Sequence, residues 1–170
     1  FRSPTCTPLD EQAGRELAKL TGVDLEQYAN AMFEAGGDVT GRTAEEVFNT
    51  DYKIFNSGEV RFGVGQGSYM SQKNRMASEK LLGPYLPIAL EKQGLDFIFY
   101  MFTDVRSAST DLLMAGKGAQ RLVEHAFGVE VKDGMAVLPQ VVSRKKQMVP
   151  ALISAVKQAM EESDQQSAAG

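Results

Sequence analysis

The sequence is poor in the residues that build disulfide frameworks and metal centres: its 170 residues include one cysteine, one histidine and no tryptophan. The single cysteine, Cys6, excludes an internal disulfide framework and fits a reducing compartment, so we expect a cytoplasmic protein. The single histidine, His125, lies in a predicted helix, and no His, Cys and carboxylate cluster has metal-ligand spacing. The sequence therefore predicts no metal site within this chain.

Long apolar segments and an excess of basic charge are also missing. The longest apolar run covers residues 97–102, far short of the roughly 20 residues that span a membrane. The formal net charge is -4, so no overall basic field favours nucleic acid or a membrane surface. Any anion site must then be local. No signal peptide is visible, and because Phe1 is not an initiator methionine we expect a piece of a longer protein.

The first 48 residues have the pattern of a linker followed by helices. Apolar residues recur at helical spacing over residues 9–20, after a Thr-Pro start, and Asp24 is a good N-cap for a second helix ending near Ala35. Thr43 precedes Glu46 by three residues, which is a capping-box signature. We therefore predict an all-helical N-terminal segment over residues 1–48.

From residue 49 the pattern alternates between strands and helices. The predicted helices cover residues 71–93, with a break at Gly83-Pro84, then residues 118–127, and a last helix starting near Lys146 to Met148. The predicted strands cover residues 51–55, 59–65, 95–104, 129–132 and 135–138. This order predicts the α/β class, a mixed sheet of about five strands with helices packed on it. We assign residues 49–162 to this domain and residues 163–170 to a disordered tail.

A basic run, Ser-Arg-Lys-Lys-Gln at residues 143–147, precedes the last helix. Pro150 is tolerated only near a helix start, so the basic triplet is predicted to lie in the turn at the positive end of the helix dipole. Unpaired backbone N–H groups there favour an anion. Three cations at that end cost about 0.3–1 kcal/mol each when no anion is bound. A solvated basic surface remains the alternative, and the residues alone do not decide between the two.

Lys53 is a second candidate because it lies in a short, aromatic-rich strand. Tyr52 and Ile54 share one face of that strand, so Lys53 points to the other. The simpler interpretation is an edge strand that uses a charge to discourage aggregation, and the strand alone favours it.

At these residues the sequence resembles family II, manganese-dependent inorganic pyrophosphatases, and within them the C-terminal DHHA2 domain. The strongest similarity is the signature from Val141 to Pro150, which includes the basic run. Further segments similar to the family are residues 1–7, 21–24, 51–55, 103–104 and 126–127. The segment from Gly63 to Ser71 departs from the family pattern, so neither Gln66 nor Ser68 is given a role.

The resemblance implies a division of labour. It implies that Lys53, Arg144 and Lys145 contact pyrophosphate or phosphate, with three weaker candidates: Ser143, Lys146 and Gln147. It implies no catalytic residue in this chain, since Mn²⁺ (with Mg²⁺) would be bound by an N-terminal DHH domain of the same polypeptide. Neither nucleic acid nor a membrane is implied as a partner, and this chain alone is expected to be inactive.

Two other functions remain open. The chain could be the equivalent domain of an exopolyphosphatase, which would act on longer polyphosphate. It could instead be a stand-alone phosphate- or nucleotide-binding module without a catalytic partner.

Overall fold

The computed structural model describes residues 6–104 and 106–168. Seven α-helices lie in these ranges: α1 Pro8–Thr21, α2 Leu25–Gly37, α3 Ala44–Phe48, α4 Gln72–Leu82, α5 Tyr85–Gln93, α6 Ala119–Phe127 and α7 Val149–Ala168. The strands are β1 Tyr52–Ser57, β2 Val60–Tyr69, β3 Phe97–Asp104, β4 Ser109–Ala115, β5 Val131–Lys132 and β6 Met135–Pro139. The predicted α/β class is confirmed. None of the described helices is long and apolar enough to cross a membrane.

The six strands form one mixed sheet in the order β1-β2-β3-β4-β6-β5. Of the described strand pairs only β2 and β3 are parallel, and the helical pair α4–α5 makes the crossover between them. The prediction of about five strands missed β4, whose sequence Ser-Thr-Asp-Leu-Leu-Met-Ala does not alternate and ends in good helix formers. Pairing with β3 and β6 holds this segment extended despite that local preference.

The sheet is covered on both faces. One face of the sheet, which we call the α7 face, presents Phe62, Val64 and Phe99 to α6 and α7. The opposite face, which we call the α5 face, presents Ile98, Tyr100 and Phe102 to α3 and α5. Burial on both faces explains why β3 is apolar at almost every position, as the sequence predicted for a central strand.

Strand β2 carries three glycines on its α5 face, and each lies under a tyrosine ring. A Cβ atom at Gly65 would lie 2.5 Å from Cδ2 of Tyr100, and one at Gly67 would lie 2.7 Å from the hydroxyl of Tyr69. Gly63 lies similarly under Tyr52. Glycine is therefore required because the rings occupy the space of a side chain. This accounts for the glycine-rich composition of the strand.

The first three helices begin at the predicted Thr-Pro start and at the two predicted capping sites. Thr7 and Asp10 form a capping box at α1, Asp24 caps α2, and Thr43 with Glu46 forms a second box at α3. The predicted break near Gly83-Pro84 is also confirmed, since α4 ends at Leu82 and α5 begins at Tyr85.

Helix α1 leaves its large apolar residues on the outside. Gly14 is its buried residue, whereas Leu17 and Leu20 are 60% and 83% exposed. The helix therefore contributes little apolar burial to the domain.

Two predicted boundaries differ from the structure. The boundary at residue 48 falls inside a packed cluster, because Val47 and Phe48 are buried on the α5 face. The predicted disordered tail from Ser163 stays a prediction, although α7 continues through residues 163–168; residues 169–170 lie outside the described ranges. Glu, Gln and Ala are good helix formers, and their local preference favours this continuation.

Candidate anion-binding site

The basic run forms the first turn of the last helical segment. Residues Arg144–Met148 make one π-helical turn, in which the N–H groups of Gln147 and Met148 both donate to the Ser143 carbonyl, at 3.0 and 3.1 Å. Ser143 is the N-cap, and its hydroxyl accepts from the N–H of Lys146 at 3.2 Å. The triplet thus lies within the helical turn, whereas the sequence predicted it in the turn before the helix. The wider turn accommodates Pro150, which has no N–H to donate to an earlier carbonyl.

Two main-chain donors at this helix start have no acceptor. Within residues 6–104 and 106–168, the N–H groups of Arg144 and Lys145 donate to nothing. The dipoles of the π turn and α7 point their positive end in the same direction. The predicted free N–H groups at the basic run are therefore present, in the arrangement that binds an anion.

The side chain of Arg144 is largely buried against the sheet. Its Nη1 donates to the carbonyl oxygens of Asp51 at 2.8 Å and Val64 at 3.3 Å, and its Nη2 donates to Oδ1 of Asp51 at 2.6 Å. The arginine side chain is 11% exposed and the aspartate side chain 50%. Asp51, which sequence reasoning passed over, thus fixes the guanidinium between the last helix and strands β1 and β2.

The remaining donors of Arg144 are available to a ligand. A guanidinium has five N–H groups, and the three contacts to Asp51 and Val64 occupy three of them. The Nε–H and one Nη2–H donate to no described residue. These two N–H groups form the fork that matches two oxygens of a phosphate or carboxylate.

Lys53 lies next to this arginine through the strand pairing. It is the register partner of Val64, the residue whose carbonyl accepts from Arg144. Paired residues share a face, so Lys53 points to the α7 face, where the basic run begins. Its neighbour Tyr52 points to the α5 face, donates to Gln93 at 2.6 Å and has its pKa raised by burial to about 12. Lys53 and Arg144 are therefore both neighbours of Val64, Lys53 by strand pairing and Arg144 by a hydrogen bond.

Lys145 and Lys146 follow Arg144 as exposed cations. Both side chains are exposed, and neither forms an ion pair with any residue the structure describes. Together with Lys53, which is also exposed, they give a local positive surface on a chain whose net charge is -4.

Gln147 makes contacts that differ from those of the lysines. Its Oε1 accepts from the N–H groups of Val142 and Ser143, each at 3.0 Å, and its Nε2 donates to the Gln140 carbonyl at 2.7 Å. Gln66, given no role from the sequence, donates to Thr103 at 3.1 Å and to the Val142 carbonyl at 3.0 Å. Both amides hold the loop before the basic run. Only the fold reveals this, since Gln66 and Val142 are 76 residues apart.

His125 and Asp104, the histidine of the chain and the carboxylate at the end of β3, have ordinary surroundings. His125 contacts Gln158 at 2.7 Å, and Asp104 accepts from the N–H groups of Arg106 and Ser107 in a turn. Among the residues that the structure describes, no group of three or more His, Cys, Asp or Glu side chains could hold a metal ion. The candidate site among the described residues therefore consists of cations and N–H donors, which are the groups that suit an anion.

Known proteins resemble this chain in sequence over most of its length. The sequence profile of the DHHA2 domain family matches residues 30–155. The "probable manganese-dependent inorganic pyrophosphatase" of Clostridium acetobutylicum is 36% identical over 157 residues, covering 92% of this chain and 50% of that protein. The "cobalt-dependent inorganic pyrophosphatase" of Clostridium perfringens is 38% identical over 152 residues, covering 89% of this chain and 28% of that protein.

A solved structure shows the same fold. A Methanococcus jannaschii protein, described as a putative family II inorganic pyrophosphatase, superposes with a TM-score of 0.72 at 30% identity, covering 91% of this chain and 50% of that one. The chain therefore spans about half the length, or less, of the relatives that it matches. The profile match runs from within α2 to within α7 and includes the sheet and the basic run. The chain belongs to the DHHA2 domain family.

Proposed function

We propose that this chain is the pyrophosphate-binding part of a metal-dependent inorganic pyrophosphatase, in which Lys53, Arg144 and Lys145 contact the substrate. The observation that carries the proposal is the largely buried Arg144 side chain. Asp51 holds it, two of its N–H donors remain open, and free main-chain N–H groups lie beside it. Ser143 and Lys146 are weaker candidates. The names of the relatives supply the substrate class.

The chemistry of pyrophosphate suits these residues. Its phosphate oxygens match the planar fork of an arginine, while lysines act as mobile point charges that follow the group as it moves. Since Asp51 fixes Arg144 before the ligand arrives, little side-chain ordering remains to be done on binding. Fixed cations of this kind also stabilise the negative charge that builds on a leaving phosphate.

The metal is proposed to lie outside this chain. The relatives are named as manganese- and cobalt-dependent, and they extend well beyond the matched region. We propose that a DHH domain of the same polypeptide binds Mn²⁺, with Mg²⁺, and would supply the attacking hydroxide. The residues of this chain hold and neutralise the substrate. Because these residues would lie on a different domain from the metal, closure of the two domains would exclude water from the site. The expected cytoplasmic location stays a prediction.

The test uses the full-length protein and three lysine or arginine variants. We expect Arg144→Ala and Lys145→Ala to lower kcat/KM for pyrophosphate by about 100-fold or more, the loss of charge-assisted contacts worth roughly 3 kcal/mol. Metal content, measured by mass spectrometry, should remain that of the wild type. Lys157→Ala is the matched control, because Lys157 is an exposed cation of the same helical segment, about 12 residues from Lys145.

Two results would contradict the proposal. Loss of bound metal in Arg144→Ala would assign the arginine to the metal centre. Equal activity of Lys145→Ala and Lys157→Ala would remove Lys145 from the substrate site. Comparing pyrophosphate with longer polyphosphate chains distinguishes a pyrophosphatase from an exopolyphosphatase, since the latter requires faster turnover of the longer chains.

A further inference from the structure

Two buried hydroxyl groups and one partly buried amide connect the centre of the sheet with the loop before the basic run. Thr103 and Thr110 are register partners on β3 and β4, and they are 2% and 0% exposed. Their Oγ1 atoms are 3.0 Å apart, and that of Thr110 donates to the Val141 carbonyl at 2.6 Å. Because this bond uses the only hydrogen of the Thr110 hydroxyl, Thr103 must donate to Thr110.

Gln66 extends the chain onto β2. Its Nε2 has two hydrogens, one for Thr103 Oγ1 at 3.1 Å and one for the Val142 carbonyl at 3.0 Å. The donors therefore run in one direction, from Gln66 through Thr103 and Thr110 to Val141. Every donor has an acceptor, so the network allows only one arrangement of the carbonyls of Val141 and Val142.

Gln147 holds the same loop from the helix side. Its Oε1 accepts from the N–H groups of Val142 and Ser143, and its Nε2 donates to the Gln140 carbonyl. Gln140 has a φ of 61°, a left-handed backbone conformation that residues other than glycine rarely adopt. The bond to its carbonyl helps to hold that conformation, and the loop is fixed on both sides.

We infer that Gln66, Thr110 and Gln147 are positioning residues that set the place of the Arg144 side chain relative to β2. This inference rests on the proposed function and reassigns Gln147 from a weak candidate ligand to a support. The loop leads directly into Ser143 and Arg144, and the guanidinium must reach the Val64 carbonyl on β2, two residues before Gln66. A loop released from these bonds would no longer direct the two open N–H groups of Arg144 toward one point.

The test uses the 170-residue chain, pyrophosphate as the probe and a pair of variants at a residue that cannot touch it. Thr110 is fully buried, so Thr110→Val removes the hydroxyl without removing a ligand contact, and Thr110→Ser restores it. We expect pyrophosphate affinity, from NMR titration of the folded proteins, to fall about five- to tenfold in Thr110→Val. It should return to within about twofold in Thr110→Ser. The matched control is Thr21→Val, which removes a hydroxyl that donates to the Leu17 carbonyl on α1.

Gln147→Ala provides a second, independent variant should Thr110→Val not fold. Its expected effect is faster hydrogen exchange of the Val142 and Ser143 amides without ligand, together with a similar loss of affinity. Arg144→Ala should then lower affinity less in the Gln147→Ala background than in the wild type, because the arginine is already misplaced. A residue that only stabilises the fold would leave the affinity of the folded protein and this coupling unchanged.

The outcomes separate this inference from the proposed function. If the wild type binds pyrophosphate and both variants bind it equally well, the positioning role is wrong and the proposed function stands. If the wild type does not bind, the proposed function fails and the inference with it, whatever the exchange rates show. If exchange at Val142 and Ser143 is unchanged in Gln147→Ala, the amide does not hold the loop and the inference is overturned.

Discussion

Replacing Gly65 with alanine should destabilise the domain, although the same change usually stabilises a strand or helix. The added Cβ would lie 2.5 Å from Cδ2 and 2.9 Å from Cε2 of Tyr100. That ring is 2% exposed and packs against Phe102, with ring centroids 5.0 Å apart, so it has no free space to move into. The backbone of β2 is equally constrained, because Gly65 pairs with Tyr52 on one side and Tyr100 on the other.

The magnitude follows from two opposing effects. Forcing an extra carbon into a packed core costs about 1–3 kcal/mol. Removing the conformational freedom of glycine from the unfolded chain returns about 0.5–1 kcal/mol. The two ranges leave a net loss of up to about 2.5 kcal/mol in the free energy of unfolding, and their midpoints leave about 1 kcal/mol. For a domain of this size, about 1 kcal/mol lowers Tm by about 2–4 °C.

The assay is urea and thermal unfolding followed by circular dichroism, since the chain has no tryptophan. Gly36→Ala is the matched control, because Gly36 lies in α2 where an added Cβ would have nothing within 4 Å, and it should gain about 0.5–1 kcal/mol. In a Tyr100→Leu background the ring is absent, so Gly65→Ala should lose most of its penalty.

Either of two results would refute this reasoning. Equal stabilisation by Gly65→Ala and Gly36→Ala would mean that the tyrosine ring does not close over β2. A full penalty in the Tyr100→Leu background would place the strain elsewhere than at the ring.

Three further predictions concern the helices and the activity of this chain. Leu17→Ala on the exposed face of α1 should change the free energy of unfolding by less than about 0.5 kcal/mol. Leu86→Ala in the core should lower it by about 2–5 kcal/mol. Near-equal values in urea unfolding would show that α1 is packed. Hydrogen bonds from Thr43, mainly from its main-chain N–H and secondly from its hydroxyl, hold the pKa of Glu46 below its ordinary value. The stability that this carboxylate contributes is therefore present above the ordinary pKa. It is lost as the pH falls through the lowered pKa of the folded state. Glu46→Gln should therefore lose less stability than the wild type between about pH 6 and pH 3, and parallel losses in thermal unfolding would contradict the capping box. The 170-residue chain alone, prepared free of metal and then given Mn²⁺, should release no phosphate from pyrophosphate; measurable turnover would show that it contains a complete catalytic site.

Much of the local structure could be predicted because its causes are local. Asp24 and Thr43 were recognisable as caps since a capping side chain bonds to N–H groups two or three residues away. The start of α1 was recognisable from Pro8. The break before α5 followed from Pro84 in the same way. The apolar run of β3 indicated a strand buried on both faces, and it lies at the centre of the sheet.

The failures share a physical reason. Strand β4 exists because β3 and β6 supply its hydrogen bonds, and neither neighbour is visible in its own seven residues. The glycines of β2 could not be explained from the strand itself because the rings that require them include Tyr100 on β3. The basic run lies inside a π turn that Ser143 caps, and this turn accommodates Pro150 at the start of α7. Residue preferences do not specify this detail of hydrogen bonding.

The candidate site divides along the same line. The sequence by itself determined which residues carry the charge, Lys53, Arg144 and Lys145, and through its resemblance to a family it determined the ligand class to be tested. Only the tertiary structure decided that Asp51 bonds to Arg144, 93 residues away, and that Gln66 and Gln147 form hydrogen bonds to the loop before the basic run. Charge is a property of single residues, whereas the direction of a donor depends on every group that packs around it.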